Sequence, residues 1–129
     1  MILNYTMARC IKDQQLEASR ALMDTIYVIG GKWKLPILYS ICNGNTRFKD
    51  IEQSIPGITN RMLSRNLKEL EENQLIIRKF GNDSSVYEYH FTEYSKEYGD
   101  LIYQMIKWGK AHKKRIIESI KQPSALQHN

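Results

Sequence analysis

The side chains best suited to chemistry in this chain are hydrogen-bond donors that recur at helical spacing in one short segment. Five of them follow Thr59, and three of the five are cationic: Asn60, Arg61, Ser64, Arg65 and Lys68. An arginine side chain can donate two parallel hydrogen bonds to guanine, asparagine can pair with adenine, and serine and lysine can contact bases or phosphates. The segment is therefore a candidate nucleic-acid contact. The competing interpretation is an ordinary solvent-facing side of a helix.

The order of charges along this predicted helix favours the first interpretation. Thr59 can cap the N-terminus, and the opposite face is apolar: Leu63, Leu67 and Leu70. Arg61 and Arg65 lie in the first two turns, whereas the acids follow toward the C-terminus: Glu69, Glu71 and Glu72. The helix macrodipole prefers the reverse order by ~0.3–1 kcal/mol per charge. Such an order is expected where cations and a helix N-terminus face phosphates.

Three helices are predicted before this segment. The first shows helical spacing from Leu16 onward and ends at Gly30-Gly31. The second runs from about Trp33 to Cys42, and four residues form its predicted inward stripe: Leu35, Leu38, Tyr39 and Cys42. A third helix, spaced by Phe48, Ile51 and Ile55, ends before the turn at Pro56-Gly57. Arg47 and Lys49 open that third helix, where they are either phosphate contacts or solvated surface.

A hairpin is predicted after the donor-bearing helix. Leu75 to Phe80 and Val86 to Thr92 have the composition and alternation of two paired strands around a polar loop. Four residues at or near the loop could contact a minor groove or a DNA backbone: Arg78, Lys79, Asn82 and Ser84. The alternative is a hairpin that only faces solvent.

A long helix is predicted to follow, with Thr92 as its cap. It carries two apolar stripes side by side, of which one would suffice to dock the helix on its own domain. The second stripe indicates burial against another subunit. A short helix, a turn, a donor-bearing helix and a hairpin are typical of a winged helix-turn-helix. The expected fold class is therefore α+β, mainly α: a winged helix-turn-helix with a two- to three-stranded β wing and terminal dimerisation helices.

Composition limits the remaining possibilities. The chain has 129 residues and a net charge of +5, which fits one domain and a polyanionic partner. No apolar run is long enough for a membrane span, and no secretory leader is visible, so a cytoplasmic protein is expected. Cys10 and Cys42 form no CxxC pair, and Cys42 is expected to be buried. No catalytic or metal-binding motif is present, so we expect no enzyme activity, no cofactor and no metal.

Several motifs together resemble the HxlR-type transcriptional regulators, within the wider MarR-like group. The similarity keeps order and spacing from about residue 20 to 110, and it rests on these segments: Ile29-Gly30-Gly31-Lys32-Trp33-Lys34, Arg47-Phe48, Ile55-Pro56-Gly57-Ile58, Arg61-Met62-Leu63-Ser64, Leu67-Lys68-Glu69-Leu70-Glu71, Tyr87-Glu88-Tyr89-His90-Phe91-Thr92 and Trp108-Gly109. The resemblance implies a bacterial, homodimeric DNA-binding regulator with a winged helix-turn-helix.

The same resemblance implies how the chain is divided. It implies a DNA-binding core at about 30–92 and dimerisation helices at about 12–29 and 93–120. The length of the chain fits a single domain over residues 1–129, and Pro123 with the polar residues after it predicts a loose tail at 122–129. By position, Thr59 to Lys68 looks like the exposed half of the recognition helix and Arg78 to Ser85 looks like the wing. Two positions depart from the family pattern: Arg20 stands where many members have a redox-active cysteine, and Ser95 stands where a glycine is common.

The predicted function is transcriptional regulation by a homodimer that binds a palindromic operator in double-stranded DNA. One alternative is a winged helix that binds an acidic protein partner through Arg61 and Arg65. Another is a regulator whose main activity is sensing a small-molecule effector near the dimer seam. That site would be lined by an aromatic set, unless these rings are simply core: Trp33, Tyr94, Tyr98, Tyr103 and Trp108.

Overall fold

The computed structural model describes residues 12–82 and 85–121. Within these ranges, five helices and two strands follow in the order α1 Lys12–Ile29, α2 Lys34–Cys42, α3 Phe48–Ser54, α4 Asn60–Glu72, β1 Ile76–Phe80, β2 Tyr87–Phe91 and α5 Tyr98–Lys121. A mainly helical chain with a small antiparallel hairpin after α4 confirms the predicted fold class. Cys10 and the predicted tail at 122–129 lie outside the described residues.

The core forms where α2, α3 and α4 pack together under the hairpin. The three leucines of α4 are almost completely buried, with Leu63 and Leu70 at 0% exposure and Leu67 at 1%. They face equally buried side chains of α2 and α3, among them Ile37 and Ile51. Each buried leucine contributes about 1.5–3 kcal/mol relative to an exposed one. This burial fixes the orientation of α4 and leaves its opposite face outside.

The turn between α3 and α4 is set by local chemistry. Gly57 has a φ of 85°, a left-handed conformation that glycine adopts without strain. Thr59 is extended, and its hydroxyl accepts a hydrogen bond of 3.1 Å from the backbone N–H of Met62. The predicted cap of α4 at Thr59 is therefore confirmed.

The hairpin is anchored to the helical core on one side. Its register pairs Ile76 with Phe91 and Phe80 with Tyr87. A single bridge joins Arg47 to Glu88, and the backbone N–H of Tyr89 donates to the carbonyl of Thr46 at 2.7 Å. In the described residues the wing therefore has two strands plus one bridging residue, at the lower end of the predicted two to three strands.

The start of the long helix was predicted too early. The α-helix begins at Tyr98, and residues 93–97 form turns. Thr92 does accept the N–H of Ser95 at 3.1 Å. Its hydroxyl, however, donates to the carbonyl of Gln74 at 2.8 Å, and the Ser95 hydroxyl donates to the carbonyl of Leu75. These bonds fasten residues 92–95 to the start of the hairpin, so the regular helix is delayed by one turn or more.

The predicted inward stripe of α2 was also partly wrong. Leu38 is buried as expected, but Tyr39 is 46% exposed and Cys42 is exposed. The buried positions are instead Ile37, Leu38, Ser40 and Ile41. Ser40 turns inward because its hydroxyl lies 2.6 Å from that of Ser54 on α3, so its polar group is satisfied inside. The thiol of Cys42 is exposed, but partial desolvation by its surroundings still raises its pKa.

Candidate nucleic-acid interface

The exposed face of α4 carries all five predicted donors. Asn60, Arg61, Ser64, Arg65 and Lys68 are exposed. We call this set the cation ridge. Thr59 is exposed beside it at the N-terminus of the helix. The ridge lies opposite the buried leucines, so it projects from the domain and no other described element covers it.

Two glutamates beside the ridge each lie close to a cation from a neighbouring element. Glu69 contacts Lys34 of α2 at 2.5 Å, and Glu71 contacts Arg78 of β1 at 3.8 Å. The short Lys34 contact offsets the charge of Glu69, whereas the longer and more exposed Arg78 contact of Glu71 is weak. Both pairs leave the N-terminal half of the helix as a positive surface.

Within the ridge, Arg65 differs from its neighbours. Its Nε lies 3.5 Å from Oε1 of Glu69, one helical turn away, although its side chain remains 80% exposed. Among the described residues, no acidic side chain forms an ion pair with Arg61 or Lys68. The hydrogen bond from Lys34 is the main cause that lowers the pKa of Glu69, so its carboxylate is ionised at neutral pH.

The predicted contacts at the start of α3 lie at the foot of the wing. Arg47 is half-exposed, and its Nε lies 3.9 Å from a carboxylate oxygen of Glu88. Lys49 is exposed in the first turn of α3. An exposed pair at this distance is weak, so Arg47 keeps the ability to exchange Glu88 for a phosphate.

The wing places two of its predicted contacts clearly at the surface, because Lys79 and Asn82 are exposed. Arg78 is also accessible, but it is partly engaged, with its guanidinium 4.5 Å above the ring of Tyr87 in addition to the Glu71 contact. Ser84 lies outside the described residues. Between α4 and the wing runs a groove of about 500 Å³, lined by Ser64, Lys68, Glu71, Glu72, Arg78 and Tyr89.

Most of the aromatic set predicted to line an effector site near the dimer seam is exposed on the single chain, whereas Tyr98 packs partly buried against the core. Tyr94, Tyr103 and Trp108 are 71%, 63% and 67% exposed, whereas Trp33 lines a groove beside Pro56. An apolar groove of about 480 Å³ lies instead between α2 and α5, lined by Leu35, Pro36, Tyr39, Ile102, Met105, Ile106 and Lys110. This groove is formed mainly by aliphatic side chains.

The sequence did not predict the ion pairs of Glu69 with Lys34 and of Glu71 with Arg78. The unfavourable charge order of α4 could have indicated these pairs, because acidic side chains near the C-terminus of a helix are stabilised by cations from other elements. Histidine, cysteine and acidic side chains form no group of three able to hold a metal ion in the described part of the chain. Nor does any helix of residues 12–82 and 85–121 combine the length and apolarity needed to cross a membrane.

The fold and the exposed ridge define a winged helix-turn-helix domain of the kind found in transcriptional regulators. Residues 28–117 match the model of the HxlR-like helix-turn-helix family, and the chain belongs to that family. It is a helix-turn-helix transcriptional regulator, as the resemblance in its sequence predicted.

Similar proteins of known sequence or structure are also described as regulators. The uncharacterized HTH-type transcriptional regulator YdeP of Bacillus subtilis (strain 168) is 38% identical over 93 residues, which cover 71% of this chain and 73% of YdeP. The redox regulator HypR in its reduced form is 33% identical with a TM-score of 0.68, over 77% of this chain and 98% of HypR. The reduced transcriptional regulator YodB from B. subtilis is 29% identical with a TM-score of 0.60, over 68% of this chain and 87% of YodB.

Proposed function

We propose that the chain is a cytoplasmic, homodimeric regulator that binds a palindromic operator in double-stranded DNA. The observation that carries this proposal is the cation ridge. Its two arginines and its lysine are exposed, while Glu69 and Glu71 beside it are paired with cations of other elements. Positive charge that is held outward by a buried leucine face is the arrangement that a major groove accepts.

In this proposal each part of the interface has a distinct task. Arg61 and Arg65, with Asn60 and Ser64, contact base edges, because arginine and asparagine can form bidentate hydrogen bonds there. The N-terminus of α4 at Thr59 and four cations or donors hold the backbone: Lys68, Arg47, Lys49 and Asn82. Arg78, Lys79 and Ser84 complete the wing contact with the flanking groove.

The homodimer is supported by the apolar surface of the terminal helices. On α1, Leu22, Met23 and Ile26 are between 65% and 69% exposed, and on α5, Trp108 and Ile120 are 67% and 74% exposed. Apolar surface of this extent is unusual on a monomer and marks an interface. We propose that α1 and α5 form the dimer and that about residues 30–92 form the DNA-binding core. Two copies would then present their ridges about one helical turn of DNA apart, ~34 Å.

Selection of bound duplexes from a random pool tests this function. The full-length protein is expected to enrich an inverted repeat whose half-sites lie about 10 bp apart, centre to centre. Enrichment of no sequence, together with retention of an acidic protein partner through Arg61 and Arg65, would favour the protein-interaction alternative. A single unrepeated site would contradict the homodimer.

Effector binding is a second proposal, supported by the groove between α2 and α5. Its apolar walls and its location beside α5 fit a small apolar ligand that alters how the DNA-binding core meets the dimer helices. A ligand found by its effect on thermal unfolding should also change operator affinity. Met105→Trp, which fills part of the groove, should abolish both effects, and a ligand whose effects survive that substitution binds elsewhere.

A further inference from the structure

The carboxylate of Glu69 is shared between two cations from different elements. Lys34 Nζ of α2 lies 2.5 Å from its Oε2, and Arg65 Nε of the cation ridge lies 3.5 Å from its Oε1. One carboxylate thus connects the N-terminal turn of α2 with a side chain that is proposed to read bases.

The two cations differ greatly in burial. The side chain of Lys34 is 12% exposed, whereas that of Arg65 is 80% exposed. An isolated exposed pair at i,i+4 spacing is weak because two long side chains must be ordered at once. Here burial already confines Lys34, and its short contact confines Glu69. Only Arg65 has still to be ordered, so the carboxylate can bias its conformation.

We propose that Lys34 and Glu69 are positioning residues that hold Arg65 in one conformer for base recognition. This inference rests on the proposed DNA-binding function. Glu69 restrains the guanidinium, and Lys34 both fixes the carboxylate and balances its charge, so that Glu69 does not draw Arg65 away from DNA. The pair should therefore affect discrimination between sequences more than affinity for DNA in general.

Opposite consequences follow for the two partners. In Glu69→Gln the guanidinium is released and can reach phosphates of any sequence, so the operator-to-random affinity ratio should fall about two- to tenfold, the factor for ordering one long side chain. In Lys34→Met the carboxylate retains Arg65 as its cation and holds it more closely. Operator affinity should then fall, because Arg65 must be pulled from a stronger pair.

The measurement is the affinity of the full-length protein for the selected operator and for a random duplex at one salt concentration. Glu72→Gln is the matched control, because it removes the same charge from the same helix and Glu72 forms no ion pair within the described residues. It should raise affinity for both duplexes alike and leave their ratio unchanged. A ratio that falls equally in Glu69→Gln and Glu72→Gln would overturn the positioning role.

A double variant separates positioning from a direct phosphate contact. Lys34→Met combined with Glu69→Gln has the net charge of the original chain, and it should show the same ratio as Glu69→Gln alone. If Lys34 contacts phosphate itself, Lys34→Met will make the salt dependence of binding shallower by about one unit of slope for both duplexes and in both backgrounds, which would overturn the proposal. Should Glu69→Gln fold poorly by circular dichroism, Glu69→Asp keeps the charge but cannot span both cations. Its ratio should also fall, and a ratio equal to the original would overturn the proposal.

The failure of this inference can be told apart from failure of the proposed function. If the original chain does not prefer its operator over random DNA, both are overturned. Suppose instead that the original chain prefers the operator and that Arg65→Ala strongly reduces this preference. If Glu69→Gln then keeps the full preference, only the positioning role is overturned.

Discussion

Replacing Gly57 should lower the free energy of unfolding, and the cause should be strain in the backbone alone. Its φ of 85° lies in the left-handed region, which disfavours an L-residue by ~1–2 kcal/mol. A Cβ built at Gly57 would lie 3.9 Å from Trp33 Cη2, an ordinary van der Waals contact, so no steric clash adds to this cost. Alanine also restricts the unfolded chain, which offsets ~0.4–1 kcal/mol. Gly57→Ala should therefore lower the free energy of unfolding by about 1 kcal/mol.

Urea unfolding at fixed protein concentration, followed by circular dichroism, measures this change. Gly57→Asn should be less destabilising than Gly57→Ala, because asparagine tolerates the left-handed conformation better. Gly44→Ala is the matched comparison: Gly44 lies outside the proposed dimer helices, its φ is 93°, and a Cβ built there would meet no neighbouring group within 4 Å. This variant should be destabilised by a similar amount, because the backbone alone sets the cost. A Gly57→Ala variant as stable as the original chain would refute the reasoning.

Three further outcomes are expected. Arg65→Ala should cost about 1–3 kcal/mol of operator binding and relax base preference, as measured by fluorescence anisotropy; unchanged affinity and preference would contradict its role. Lys49→Ala should weaken all duplexes alike and make the salt dependence shallower by about one unit of slope, so an unaltered slope would remove it from the phosphate contacts. Because the Lys34 hydrogen bond is the main cause that lowers the pKa of Glu69, the pair stabilises the fold above the ordinary value of 4.5 and loses this effect as pH falls through the lower folded value. The stability difference between the original chain and Glu69→Gln should therefore narrow in acid, and a difference that stays constant with pH would argue against it.

The sequence was most informative where structure is determined locally. The cap at Thr59, the turn at Gly57 and the leucine face of α4 depend on residues within one or two turns of each other. Their spacing therefore predicted both the helix and its exposed face. The strand-like alternation after α4 likewise predicted the hairpin and, with the helices before it, the winged helix-turn-helix. The family resemblance then supplied the particular family of regulators.

The predictions of the start of α5 and of the buried face of α2 were wrong because contacts between residues distant in sequence determine both. Thr92 looked like the first cap of a helix, yet its hydroxyl donates to a carbonyl 18 residues earlier and Ser95 is tied to Leu75. In α2, the segment from Leu35 to Cys42 is apolar at nearly every position, so periodicity could not choose its buried face. The pairing of Ser40 with Ser54 shows which face turned inward, and it joins residues 14 apart.

Protection of guanine N7 from methylation in the selected operator tests the central claim most directly, because N7 is a major-groove acceptor for arginine. The claim is that the cation ridge of α4 enters the major groove in each half-site. Two clusters of protected guanines about one helical turn apart are expected, and Arg65→Ala should restore methylation at specific guanines within each cluster. Operator binding that leaves every guanine N7 reactive, or protection unaffected by Arg61→Ala and Arg65→Ala alike, would contradict the account.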